Sequence, residues 1–275
     1  MWRIVAGLLA SLAATAAAVG TAAAEPCHDG DVVAARDADL QVLAGARCLR
    51  GSLTLTRDVA RLAPLATLAW IEGDLRVVRT DRLRSLRGLD ALARVGGDVQ
   101  IGGPKQGTPG LRDVDGLRAL AEIGGDLYLG SGWIFVPGGS RTSLLRGVSG
   151  LTALRRVGGD VTLFDLAAFR GLPALVEIGG DLVVRRGRFA ALGGLDRLAR
   201  IGGSLRLDGN RALRRIDGLR ALVEIGGDVD AGCLNRNPRL AEATVRRFLT
   251  RAAVRGRVWY VAADTPHRPD AHPCA

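Results

Sequence analysis

Aromatic residues make up only 4% of the 275 residues, and Lys105 is the one lysine among 38 basic side chains. So few rings leave little to stack against bases, which argues against a nucleic-acid binder. Four cysteines are too few for a small domain built on disulfides. The 38 glycines follow no three-residue period, which excludes collagen, and a hydrophobic share of 48% excludes a disordered chain. Neither a nucleophile elbow nor a phosphate-cradling glycine loop is present, and His28, His267 and His272 stand at the chain ends. These absences leave a non-enzymatic chain with enough length to bury a large core.

Residues 1–24 hold one Arg, then a long apolar run, then small residues at Ala22 and Ala24. This order predicts an export signal cleaved after Ala24, which places the protein outside the cytoplasm as a secreted, periplasmic or cell-surface chain. No later segment approaches a transmembrane span. Cys27, Cys48, Cys233 and Cys274 all lie beyond that point, and an even number in an exported chain predicts two disulfides. Three connectivities exist; pairing Cys27 with Cys48 and Cys233 with Cys274 closes each end of the chain. Their spacing does not suit a metal site, and no cofactor is expected.

Internal repetition dominates the rest. The motif occurs as Ile71-Glu-Gly-Asp-Leu75, Val95-Gly-Gly-Asp-Val99, Ile123-Gly-Gly-Asp-Leu127 and Val157-Gly-Gly-Asp-Val161. It returns at Ile178, Ile201 and Ile225, after a degenerate first copy at Leu49. Successive starts lie 22, 24, 28, 34, 21, 23 and 24 residues apart, a period that indicates a solenoid. Six copies carry Gly-Leu-x-x-Leu seven residues upstream, so length variation falls after the Asp-Leu-x-Val segment. Each repeat reads as an inward Leu-x-x-Leu-x-x-Ile stripe, a Gly corner and a short Leu-x-Val strand. Stacking would place Leu75, Val99, Leu127, Val161, Leu182, Leu205 and Val229 in one interior column.

Two further columns follow. The residues before each Ile or Val are Trp70, Arg94, Glu122, Arg156, Glu177, Arg200 and Glu224, whose charge alternates from Arg94 onward. At a strand spacing of about 4.8 Å they would form an exposed ladder worth a few tenths of a kcal/mol per step. The Asp column (Asp74, Asp98, Asp126, Asp160, Asp181, Asp228) lacks the nine-residue period of calcium-binding β-rolls and is expected to cap turn N–H groups.

The phrase Leu-x-x-Ile-Gly-Gly-Asp-Leu, preceded by Gly-Leu and clearest over Leu205–Leu219 and Ile225–Val229, resembles the receptor L-domain family. Those domains form the ligand-binding halves of insulin- and epidermal-growth-factor-type receptors. The early Cys27 and Cys48, the Asn237-Pro-Arg-Leu240 segment and the late Cys274 resemble the family's ends. The resemblance implies a mainly β fold, a single-stranded right-handed parallel β-helix of about eight leucine-rich-repeat-like coils. Most coils lack the family's Asn after the strand, which Asn210 retains. A leucine-rich-repeat horseshoe is the alternative fold. One solenoid domain is expected over 25–275: an N-terminal cap and first coil at 25–53, repeats at 54–231 and a C-terminal cap at 232–275. In that cap, a helix over Pro238–Ala252 with Asn237 as N-cap and a strand at Arg257–Val261 are predicted.

Binding is expected to lie on the two segments that interrupt the period, Gly102–Asp115 and Gly130–Ser149, since insertions on rigid scaffolds often carry function. Lys105, Tyr128, Trp133, Phe135 and Arg141 would combine cations and rings in one patch, suited to a protein or an anionic envelope glycan. The outward strand row Arg76, Gln100, Tyr128, Thr162, Val183, Arg206 and Asp230 holds a single carboxylate, too few for paired acid–base work. With an export signal arguing against nucleic acid, a net charge of +10 suits an anionic envelope polymer or phospholipid surface, the other reading being a genome biased toward Arg and Ala codons. A structural envelope protein without a ligand is the first alternative and a carbohydrate-active enzyme the second.

Overall fold

The Leu-x-Val segments pair as read. In the computed structural model, which describes residues 26–103, 107–131, 150–231 and 237–259, Leu75, Val99, Leu127, Val161, Leu182, Leu205 and Val229 are successive register partners. All seven are fully buried. Parallel pairing of one strand per coil gives a ten-stranded sheet from Val32–Ala34 to Val258–Trp259. The result is a mainly β parallel solenoid of about eight turns, one for each motif copy, with a further rung at each end. Two residues further along each strand, Val77, Ile101, Leu129, Leu163, Val184 and Leu207 form a second buried column.

Each coil also contributes to a second parallel ten-stranded sheet that the repeat pattern alone does not reveal. Most of its strands are two residues long, such as Arg94–Val95 and Glu122–Ile123. Their outward column runs Cys27, Cys48, Trp70, Arg94, Glu122, Arg156, Glu177, Arg200, Glu224 and Ala253. The expected Arg/Glu ladder is there, but broken into three pairs, the last of which Arg255 joins at 2.7 Å from Glu224. Arg94–Glu122, Arg156–Glu177 and Arg200–Glu224 approach to 3.7–3.8 Å. The third side of the coil carries the Leu-x-x-Leu stripe, where Leu89, Leu92, Leu117 and Leu120 are fully buried.

The Gly-Gly-Asp corner joins the two sheets, and stacking explains all three residues. A Cβ on Gly124 would lie 2.0 Å from the Gly96 carbonyl oxygen of the preceding coil. One on Gly125 would lie 2.1 Å from Asp98 Oδ1. Neither glycine has positive φ, so close approach rather than unusual backbone geometry requires it. The Asp carboxylates cap N–H groups, though across coils rather than within their own turn. The Asp98 N–H donates to Asp74 Oδ1, Asp126 to Asp98, Asp160 to Asp126 and Asp181 to Asp160, all at 2.7–2.8 Å. Ser52 and Ser204 hold the same place with a hydroxyl, and Arg257 N–H closes the column on Asp228.

The N-terminal end adds a corner before Leu49. The strand Cys27–Asp29 pairs with Cys48–Arg50, and the Ser52 N–H donates to Asp31 Oδ1 as in later rungs. The disulfide joins Cys27 to Cys48 with their Cα atoms 4.5 Å apart. Cys233 and Cys274 lie outside the described residues.

At the other end, the helix covers Glu242–Leu249 rather than Pro238–Ala252, and its N-cap is Ala241 rather than Asn237. Asn237 is buried instead. Its Oδ1 accepts from the Asn210 N–H at 2.9 Å, and its Nδ2 donates to the Leu207 and Ala231 carbonyls. Asn210 in turn accepts from Gly187 N–H and donates to the Val184 carbonyl. The two buried amides thus satisfy each other and the neighbouring backbone in a two-step ladder, while the buried Thr80 hydroxyl has no partner among the described residues. The final strand is Val258–Trp259; residues 260 and 261 lie outside the described residues. No helix among the described residues is long and apolar enough to cross a membrane.

Candidate functional site

The two strands that lead into the period-breaking segments are Val99–Gly103 and Leu127–Ser131, and they are hydrogen-bonded neighbours. Gly102 faces Gly130 and Gly103 faces Ser131 in register. Both segments therefore leave the sheet from adjacent points. The first is shorter than its length in sequence indicates, because Leu111 and Val114 are fully buried and continue the stripe toward Leu117. Lys105, Trp133, Phe135 and Arg141 lie outside the described residues.

Tyr128 is the predicted contact residue that lies on described backbone. It stands half-buried on the outer face of the long-strand sheet, between Gln100 and Thr162 in register. Burial disfavours the phenolate and pushes the Tyr128 pKa up to about 12, with Asp165 adding to the rise and Arg185 opposing it. The rest of the predicted row divides by partner. Arg76 and Arg206 are held by ladder carboxylates Asp74 and Asp181 at 2.6 and 3.1 Å. Gln100 donates to the Gly102 carbonyl at 2.9 Å.

Two positions further along the strands runs a second outward row that the sequence reading passed over: Gly102, Gly130, Phe164, Arg185 and Asp208. Two glycines followed by Phe164 remove side-chain bulk beside Tyr128 and restore it as a ring. Arg186 lies over the Phe164 ring, 5.7 Å from its centroid. Arg185 pairs with Asp208 at 3.0 Å, and Arg188 lies 3.6 Å from Asp165. Reading the repeat one pleat beyond Leu-x-Val would have exposed this row. Chemically, the face offers the half-buried Tyr128 ring and guanidinium donors, with Phe164 buried beneath Arg186; the described residues hold no group of three or more side chains placed to ligate a metal.

Compared with protein-family models and with curated proteins, the chain matches none.

Proposed function

We propose that the protein is an exported, non-enzymatic recognition module with a receptor L-domain-like scaffold. Its ligand is a cell-envelope glycan or protein, held on the outer face of the long-strand sheet around Tyr128. The observation that carries this reading is the adjacency of Gly102–Gly103 to Gly130–Ser131, two to three residues from Tyr128. The apolar, Ala-ended segment at 1–24 and the Cys27–Cys48 disulfide support an oxidising, extracytoplasmic location.

A glycan array and a pulldown from envelope extract test the reading with the mature chain. Binding that is lost in Tyr128→Ala and in the double variant Trp133→Ala/Arg141→Ala, with the urea transition unchanged, is the expected result. Absence of any partner in both assays would favour a purely structural role, which the regular surface ladders also suit. Turnover of a polysaccharide would overturn the non-enzymatic assignment.

A further inference from the structure

The sheet of short strands carries its own concavity, on a different sheet from the Tyr128 face. Along its outward column, Trp70 stands between Cys48 and the first ladder residue, Arg94. Two residues on, a parallel column runs Arg50, Glu72, Gly96 and Gly124 along the corner. The next six coils have Gly where Glu72 stands, at 96, 124, 158, 179, 202 and 226, so the side-chain wall is interrupted after Glu72 and returns only at Arg255 in the last rung. On the other side of Trp70 the recess is bounded by Ala69 and Ala93, neither of which carries a long side chain. A recess of about 740 Å³ results where the wall stops, lined by Trp70, Arg50, Glu72, Arg94 and the two alanines. That volume falls in the range of about 300–1,000 Å³ usual for small-ligand sites.

The lining selects a chemistry. A half-buried indole beside two alanines offers an apolar surface for the carbon face of a flat ring. Arg50 and Arg94 line the recess and are 54% and 64% exposed, so their planar donor forks are accessible to a ligand. Each has one carboxylate neighbour, Asp29 at 3.1 Å and Glu122 at 3.8 Å, which leaves further N–H groups of a five-donor guanidinium for a ligand. Glu72 adds an acceptor that a ligand must satisfy with hydroxyl hydrogens. An apolar ligand would strand these charges, and a multiply charged phosphate would meet Glu72 at close range. A sugar ring with one carboxylate and free hydroxyls satisfies all three features.

We infer that the Trp70 recess binds a carboxylated pyranose of an acidic polysaccharide. The inference uses no residue of the Tyr128 face, so the two assignments stand or fall separately. Titration of the mature chain with trigalacturonate, followed by isothermal calorimetry so that the readout survives loss of the indole, tests it. The expected result is a saturable change that Trp70→Ala abolishes and Arg94→Ala weakens by about tenfold or more, the equivalent of one charge-assisted hydrogen-bond pair. Trp70→Phe keeps a ring and is expected to retain measurable affinity. Neutral chitotriose should bind at least about tenfold more weakly, and Trp133→Ala should leave the titration unchanged. Should Trp70→Ala lose the native far-UV spectrum, the Arg94→Ala and Trp70→Phe arms decide. No saturable binding of trigalacturonate, equal affinity for chitotriose, or affinity insensitive to both Trp70 and Arg94 would overturn the assignment.

Discussion

The Gly124→Ala substitution tests the stacking geometry most directly. The added Cβ would lie 2.0 Å from the Gly96 carbonyl oxygen and 3.0 Å from its carbon, both backbone atoms that no rotamer change can move. An ordinary contact needs more than 3 Å, so two coils must part locally by about 1 Å. Three interactions cross that gap: Gly124 N–H to the Val95 carbonyl at 2.9 Å, Gly125 N–H to Gly97 at 3.0 Å, and Asp126 N–H to Asp98 Oδ1 at 2.8 Å. Lengthening each by 1 Å carries it beyond hydrogen-bond range. At about 1 kcal/mol per bond plus about 1–3 kcal/mol for overpacking, and less about 0.5 kcal/mol for the stiffer unfolded chain, the net cost is about 4–5 kcal/mol.

Two internal controls separate collision from backbone strain. Gly193 has open space around its missing Cβ and no positive φ, so Gly193→Ala should be neutral or stabilise by up to about 1 kcal/mol. Gly45 has open space but φ +82°, so Gly45→Ala should cost about 1–2 kcal/mol through strain alone. Urea unfolding of the three variants measures the series. A typical slope of about 2 kcal/mol per molar puts the Gly124→Ala midpoint about 2 M below the parent. A Gly124→Ala midpoint at or above that of Gly45→Ala would refute the claim that coil contact, rather than local conformation, dictates the paired glycines.

Removing one rung of the carboxylate column by Asp126→Ala leaves the Asp160 N–H without its acceptor, and should cost about 1–2 kcal/mol in the same assay. Asp126→Ser should recover most of it, because Ser52 and Ser204 already serve as natural rungs. Arg94→Glu sets like charges beside each other at Glu122 and should lower the thermal midpoint at low salt, by less than about 1 kcal/mol in stability. The exchange Arg94→Glu/Glu122→Arg should restore it, whereas full additivity would show that the dyad contributes nothing. Tyr128 should still be protonated at pH 11, one of two tyrosines in the chain, as read by absorbance near 295 nm. Its folded value lies above the ordinary 10, so its contribution is complete below pH 10 and is lost as pH rises toward 12. Both tyrosines ionising together near pH 10 would contradict the burial argument.

The sequence made the stack legible because the spacing from Gly-Leu to Gly-Gly-Asp never varies. A fixed spacing sets which residues share a column, and the partners of Val99, Leu127 and Arg94 follow directly. The second sheet escaped because Arg94–Val95 has one inward residue and so no alternation to read. Its Val95 continues the three-residue spacing of Leu89 and Leu92, which resembles a turn. The corner at His28–Val32 has a single glycine and no upstream leucine stripe, so it did not register as a repeat. Asn237-Pro238 has the local signature of a helix start, but its amide bonds to Asn210, 27 residues earlier, through a contact no local pattern reports. Of the candidate site, Tyr128 was found through its strand position. Phe164, Arg185 and Trp70 were missed because each is an irregularity, and the reading followed what repeats.

That irregularity is itself informative about where binding can occur. A side chain in a repeated column is already engaged by its neighbours: the Asp74, Asp98, Asp126 and Asp160 carboxylates each accept a backbone N–H from the next coil. The paired glycines cannot carry any side chain at all. A ligand therefore has to be met where a column changes occupant, since only there is a side chain not required by the coil beside it. On the short-strand sheet that change falls at Trp70 and Glu72, before the ladder and the glycine column begin. On the long-strand sheet it falls between Gly130 and Phe164, beside Tyr128. Both positions join an aromatic ring to guanidinium groups within a fold otherwise poor in rings. On the proposed reading these two changes of occupant are where a ligand would be met, whereas the Arg257–Trp259 contact at 4.9 Å shows the same pairing closing the last rung.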